Sequence, residues 1–185
     1  IIGSDQLYGR SLRLLKEDLP RLGIDTSLVD TTQADCVVAA QRPNTKMILI
    51  EAVSNPTLRV ADLTGIAAWT AEKQVILAVD NTFTTPKAIR PFDFGADIVI
   101  HSVTKLLAGH SDVTLGYVAA KDLGLRDKIY TFSVTTGMTA SPFDCWLAER
   151  GLLTFPLRFD KTQATASALA NMLAQHKGVA RVLYP

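Results

Sequence analysis

Five short runs rich in Val, Ile and Leu punctuate the sequence, at Thr26–Val29, Met47–Ile50, Val75–Val79, Ile98–Ile100 and Leu115–Ala119. They show little polar alternation, the pattern of strands covered on both faces. Helical patterns fall between them, near Ser11–Leu19, Gln33–Gln41 and Val60–Lys73. Strand and helix in alternation predict an α/β domain built on a mostly parallel sheet flanked by helices. From Ser141 to about His176 the pattern turns mostly helical, with Ser141 as N-cap and Pro142 at the first helical position. The chain opens on "IIGSDQLYG", already inside an element, and stops at "VARVLYP", where a further strand is expected to begin. It reads as a piece of a longer protein.

Composition narrows the class. Hydrophobic residues make up 48% of the 185, enough for a sizeable core. No apolar run approaches the roughly 20 residues that span a bilayer, so no membrane is expected as a partner. The net charge is +1 with both signs interspersed, and no nucleic-acid partner is expected either. Cys36 and Cys145 read as buried, reduced thiols of a cytoplasmic protein.

In open parallel sheets ligands bind beyond the carboxyl ends of the strands. Polar groups stand there three times over: Glu51 and Asn55 after "MILI", Asp80 to Thr82 after "VILAV", and His101 to Lys105 after "IVI". Lys105 is the unusual one. A desolvated crevice would penalise its ammonium and favour the neutral amine, which can attack a carbonyl; alone it is equally a surface lysine. Ser102 and Thr104, two apart in an extended segment, would share a side and suit a phosphate, or else cap a helix. Asp80 ends the most apolar strand, where a carboxylate needs a cation or an Asx turn. A protonated pyridine nitrogen is such a cation. Thr82 would orient that carboxylate, Asn55 would donate to a phenolate oxygen, and Tyr8 offers an aromatic face for stacking. Together these are the requirements of pyridoxal 5'-phosphate: an amine for its aldehyde, hydroxyls for its phosphate, a carboxylate for its ring nitrogen and a stacking ring.

The segments "EAVSNPTL", "AVDNTFTTP" and "HSVTKLLAGHSDV" closely resemble the signatures of the cystathionine γ-synthase/cystathionine lyase family of pyridoxal-phosphate-dependent Cys/Met-metabolism enzymes. "DQLYG" upstream and "SPFDCWLAERGLLTFPLR" downstream resemble the same family in the same order, so the resemblance covers essentially the whole chain. It implies that Lys105 forms the Schiff base and shuttles protons, and that Ser102 and Thr104 hold the phosphate. Asp80, supported by Thr82, would face the pyridine nitrogen, and Asn55 the cofactor's O3'. Tyr8 would stack on the ring and take part in proton transfer. The implied fold is the large-domain portion of the fold-type-I transferase fold over 1–140, with 141–185 a helical connection into a smaller domain. The phosphate-binding loop, and a Tyr and an Arg lent by a neighbouring subunit, would lie before Ile1. The arginine for the substrate carboxylate would lie after Pro185. A site shared in this way implies a homo-oligomer, a dimer or a tetramer of dimers.

One position departs from the pattern. Arg10 stands where many members have Gly or, in methionine γ-lyases, Cys. It counts against a methionine γ-lyase and is expected to bring a cation near the mouth of the site. The reaction implied is β/γ-elimination or γ-replacement on sulfur amino acids or O-acylhomoserine, with cystathionine γ-synthase or lyase chemistry first and an O-acylhomoserine sulfhydrylase or methionine γ-lyase of the same family as the alternative. Two other readings remain: an aminotransferase or desulfurase using the same Lys–Asp pair, and a paralogue that keeps the cofactor as a scaffold.

Overall fold

The computed structural model describes all residues, Ile1–Pro185. Six strands form one sheet: β1 (Ile2–Ser4), β2 (Ser27–Val29), β3 (Met47–Glu51), β4 (Ile76–Asp80), β5 (Ile98–Ser102) and β6 (Gly116–Ala120). Their order is β2-β1-β3-β4-β5-β6; β1 to β5 run parallel and β6 pairs antiparallel with β5. Each expected run is a strand, shifted by a residue or two toward its polar end. β1, at the chain's opening, is the element that "IIGS" enters.

The helices are α1 (Gly9–Arg13), α2 (Leu19–Arg21), α3 (Ala34–Ala39), α4 (Leu63–Lys73), α5 (Thr85–Ala88), α6 (Leu123–Thr135), α7 (Pro142–Leu152) and α8 (Phe155–Ala174). A π-helical stretch, Leu14–Asp18, joins α1 to α2. α4 starts three residues later than its apolar pattern, because Asp62 caps it by accepting the Gly65 N–H at 3.0 Å. Val60 is drawn instead into a bridge with Val53. α6 has an Asp122 cap and no fully buried residue, so no apolar stripe announced it. Ser141 caps α7 as expected, accepting from Asp144 N–H at 3.4 Å.

Two expectations are overturned. No strand forms in "VARVLYP", which pairs with neither edge of the sheet. Neither cysteine is buried: Cys36 on α3 is half-buried and Cys145 on α7 is exposed. A short helix covers only one face, and both thiols lie off it.

The core lies between sheet and helices. Ile48, Ile50, Leu77 and Val79 of the central strands pack with Ile66 and Ala67 of α4 and Val37 of α3. Burying such side chains contributes roughly 1.5–3 kcal/mol each. A second cluster of Val103, Ala108, Val113 and Ala148 ties the segment after β5 to α7. The effect is to align the carboxyl ends of β3, β4 and β5 along one rim.

Candidate active site

The register places Glu51 opposite Asp80, and Asp80 opposite Ile100, on neighbouring parallel strands. Past that rim lies a cleft of about 510 Å³. All seven expected residues line it: Tyr8, Asn55, Asp80, Thr82, Ser102, Thr104 and Lys105. Chain segments almost a hundred residues apart in sequence thus meet around one space.

Asp80 realises both readings of an acidic strand end. Its Oδ1 accepts the Thr82 N–H at 2.9 Å, an Asx turn, while the carboxylate still lines the cleft. Thr82 orients Asp80 through its backbone; its hydroxyl instead accepts the Ser102 N–H at 2.7 Å, fastening β4 to β5. Thr104 lies in the turn after β5. Its hydroxyl is engaged with Leu115, donating to the carbonyl at 3.3 Å and accepting the N–H at 3.0 Å. Ser102 and Thr104 share the cleft, then, but not as neighbours on one extended strand.

Lys105 departs from the expectation of a desolvated crevice. It is exposed, because it stands where the cleft opens into a second, polar cavity of about 760 Å³ carrying Ser111, Asp112 and Asp144. Tyr8, 48% exposed, begins α1 at its N-cap. Arg10 is exposed on the first turn of α1, two residues from Tyr8, and is not among the residues that line the cleft.

Two contributors were missed. Glu51 is 8% exposed and holds two segments of the site: Oε1 accepts the Tyr8 N–H at 2.7 Å and Oε2 the Asn55 N–H at 3.1 Å. Burial raises its pKa, and the Asp80 charge adds to that, against the two N–H donors. The signal was present, since a glutamate ending a buried strand needs partners. Phe83, 47% exposed, is a second aromatic wall, visible in "DNTFTTP" but passed over. Behind the site His101 is 5% exposed, tilted against Tyr117 with ring centroids 6.3 Å apart, and its Nδ1 has no partner. Burial lowers its pKa, partly offset by Asp80.

The family model for "Cys/Met metabolism PLP-dependent enzyme" matches residues 1–185. The chain belongs to that family. A cystathionine β-lyase of Bacillus subtilis is 40% identical over 185 residues, covering 100% of this chain and 47% of that protein. The cystathionine γ-lyase of the same organism is also 40% identical, with 100% of this chain and 49% of that protein covered. The crystal structure of cystathionine γ-lyase from Lactobacillus plantarum complexed with L-serine superposes with a TM-score of 0.94 at 34% identity, over 97% of this chain and 47% of that one. The chain therefore spans about half the length of the relatives it matches.

The donor set of the cleft fits the cofactor that defines the family. An amine, an acidic carboxylate, hydroxyls, an amide and two aromatic rings border one space. No helix is long and apolar enough to cross a membrane.

Proposed function

We propose that the full protein catalyses pyridoxal-phosphate-dependent β/γ-elimination or γ-replacement on sulfur amino acids or O-acylhomoserine, with cystathionine γ-synthase or lyase chemistry first. The observation that carries this is the meeting of Lys105 and Asp80, from the ends of two adjacent strands, in one cleft.

Lys105 would hold the cofactor's aldehyde and would serve as the group that moves protons at the substrate carbons. Its ammonium makes no ion pair within the chain, which leaves it available for that work. Asp80 would hold the proton on the ring nitrogen, with the Asx turn to Thr82 fixing its carboxylate. Ser102 and Thr104 would hold the phosphate through their hydroxyls, Asn55 would donate to O3', and Tyr8 would stack on the ring. When bound, the cofactor supplies an electron sink for the carbanion at Cα.

Residues 1–140 would form the cofactor-binding large domain, and the helices from 141 the way into a smaller one. Homo-oligomerisation, dimer or tetramer, would accompany such a site, completed by residues of a neighbouring subunit. The unbridged Cys36 and Cys145 support a cytoplasmic location. Cystathionine-cleaving and cystathionine-forming relatives both stand at about 40% identity, and they support the substrate class.

The test uses the full-length protein with added pyridoxal phosphate. Borohydride reduction and peptide mapping are expected to leave the pyridoxyl group on Lys105. An adduct on another lysine, or none in a folded sample, overturns the reading. Product analysis with cystathionine, O-succinylhomoserine, O-acetylhomoserine and methionine then separates elimination from replacement.

A further inference from the structure

Lys105 lies on neither helix nor strand. It sits in the run of turns from Val103 to Ala108, closed by Lys105 N–H to Ser102 at 3.1 Å, Ala108 N–H to Val103 at 2.9 Å and Gly109 N–H to Lys105 at 2.8 Å. Such a segment has no ladder to hold it, and the carbonyls of Leu106, Leu107 and Ala108 accept none of these bonds. Ala108 O lies 2.7 Å from His110 Nδ1, and one side chain reaches all three carbonyls. Arg158, on α8 and some fifty positions away, donates from Nη1 to Leu106 O at 2.6 Å and from Nη2 to Leu107 O at 3.0 Å and Ala108 O at 3.3 Å. Nη2 also reaches Gly151 O at 2.8 Å, and Nε reaches the Thr154 hydroxyl at 3.1 Å.

The packing around the guanidinium is tight at two glycines. A Cβ on Gly109, whose φ is +77°, would lie 1.8 Å from Arg158 Nη1. A Cβ on Gly151 would lie 2.3 Å from the Ala108 carbonyl oxygen. Arg158 forms no ion pair with an acidic side chain; the negative ends of carbonyl dipoles are what its charge meets. It borders neither cavity at Lys105, so it does not touch what binds there. A planar fork of donors matches this fan of carbonyls, whereas an ammonium radiates from a point.

We propose that Arg158 is a positioning residue for Lys105, clamping the lysine turn so that the amine returns to one place each time it is released. This rests on the reading of Lys105 as the cofactor-binding lysine. It adds that α8, outside the sheet, governs the geometry of that lysine.

The experiment compares full-length wild type with Arg158→Lys, which keeps the charge and loses the fork. Hydrogen exchange of the cofactor-free protein is expected to quicken about tenfold in peptides covering 104–110, with peptides of β3 and β4 unchanged. In the loaded enzyme, visible circular dichroism of the cofactor should weaken. Turnover should fall by about a hundredfold with KM little altered, the cost of an ångström-scale misplacement. Exchange at 104–110 equal to wild type, or quickened equally through β3 and β4, overturns the proposal. Should Arg158→Lys not fold, Thr154→Val, which removes the Nε acceptor together with the hydroxyl's own bond to the Gly151 carbonyl, decides by the same exchange and dichroism readouts at smaller amplitude. Failure of the lysine assignment is separately visible as wild-type protein that yields no pyridoxyl-Lys105.

Discussion

At the residue scale the site turns on how carboxylates at strand ends are satisfied. Glu51 and Asp80 sit side by side, and each takes backbone N–H groups that aim a loop. Removing Glu51 strands two donors at once. Glu51→Ala is expected to cost about 2 kcal/mol in urea unfolding of the full protein, and to raise KM for the cofactor as Tyr8 and Asn55 lose their hold. The pH dependence has a definite sign. Burial raises the Glu51 pKa above its ordinary 4.5, so the folded state binds the proton more tightly than the unfolded one. Stability from this group is present below 4.5 and declines as pH rises from there through the raised value. Glu51→Gln should flatten that decline in unfolding midpoints measured across the acid range.

At the element scale, β5 ends at the cleft and carries a buried imidazole, His101, one residue before its last. Burial lowers the His101 pKa below 6.5, so the unfolded chain binds protons that the folded chain refuses. His101 therefore contributes stability above 6.5 that is lost as pH falls through the lowered value, the reverse of Glu51. In His101→Gln the thermal midpoint should lose this acid-side slope, as scanning calorimetry from neutral to acidic pH would show. α7 meets the lysine turn closely enough that Gly151 has no room for a side chain. Gly151→Ala is expected to destabilise the protein by roughly 1–3 kcal/mol through overpacking against backbone, while Gly9→Ala, with nothing within 4 Å of its Cβ, should be near neutral. Chemical denaturation of the two variants checks the contrast.

At the scale of the whole molecule, β6 is an edge strand whose Tyr117 and Val118 are 53% and 47% exposed. Beside it α6 shows Tyr130 and Phe132 at 68% and 62% exposure. Unpaired backbone flanked by apolar surface is a template for association. Expressed by itself, this stretch of 185 residues is expected to self-associate at micromolar concentration. Tyr117→Lys should shift light scattering toward the monomer, and an unchanged size distribution would refute the edge as the cause.

Much of this was legible in one dimension. Runs of Val and Ile bounded by polar residues specify buried parallel strands, because a strand covered on both faces has no use for alternation. The chemistry at three strand ends followed, because the carboxyl rim of such a sheet is where ligands go. Lys105, Asp80, Ser102, Thr104, Asn55, Thr82 and Tyr8 could be named together from the sequence, and all seven line the cleft. Which atoms do the work could not. That the Thr82 hydroxyl serves Ser102, that Glu51 ties Tyr8 to Asn55, and that Arg158 grips the lysine turn are contacts across long sequence separations, and no local pattern encodes them. Hydrogen-bond donors in a buried turn take whichever partner packing brings within 3 Å or so, and packing is decided only when the whole chain has closed on its core.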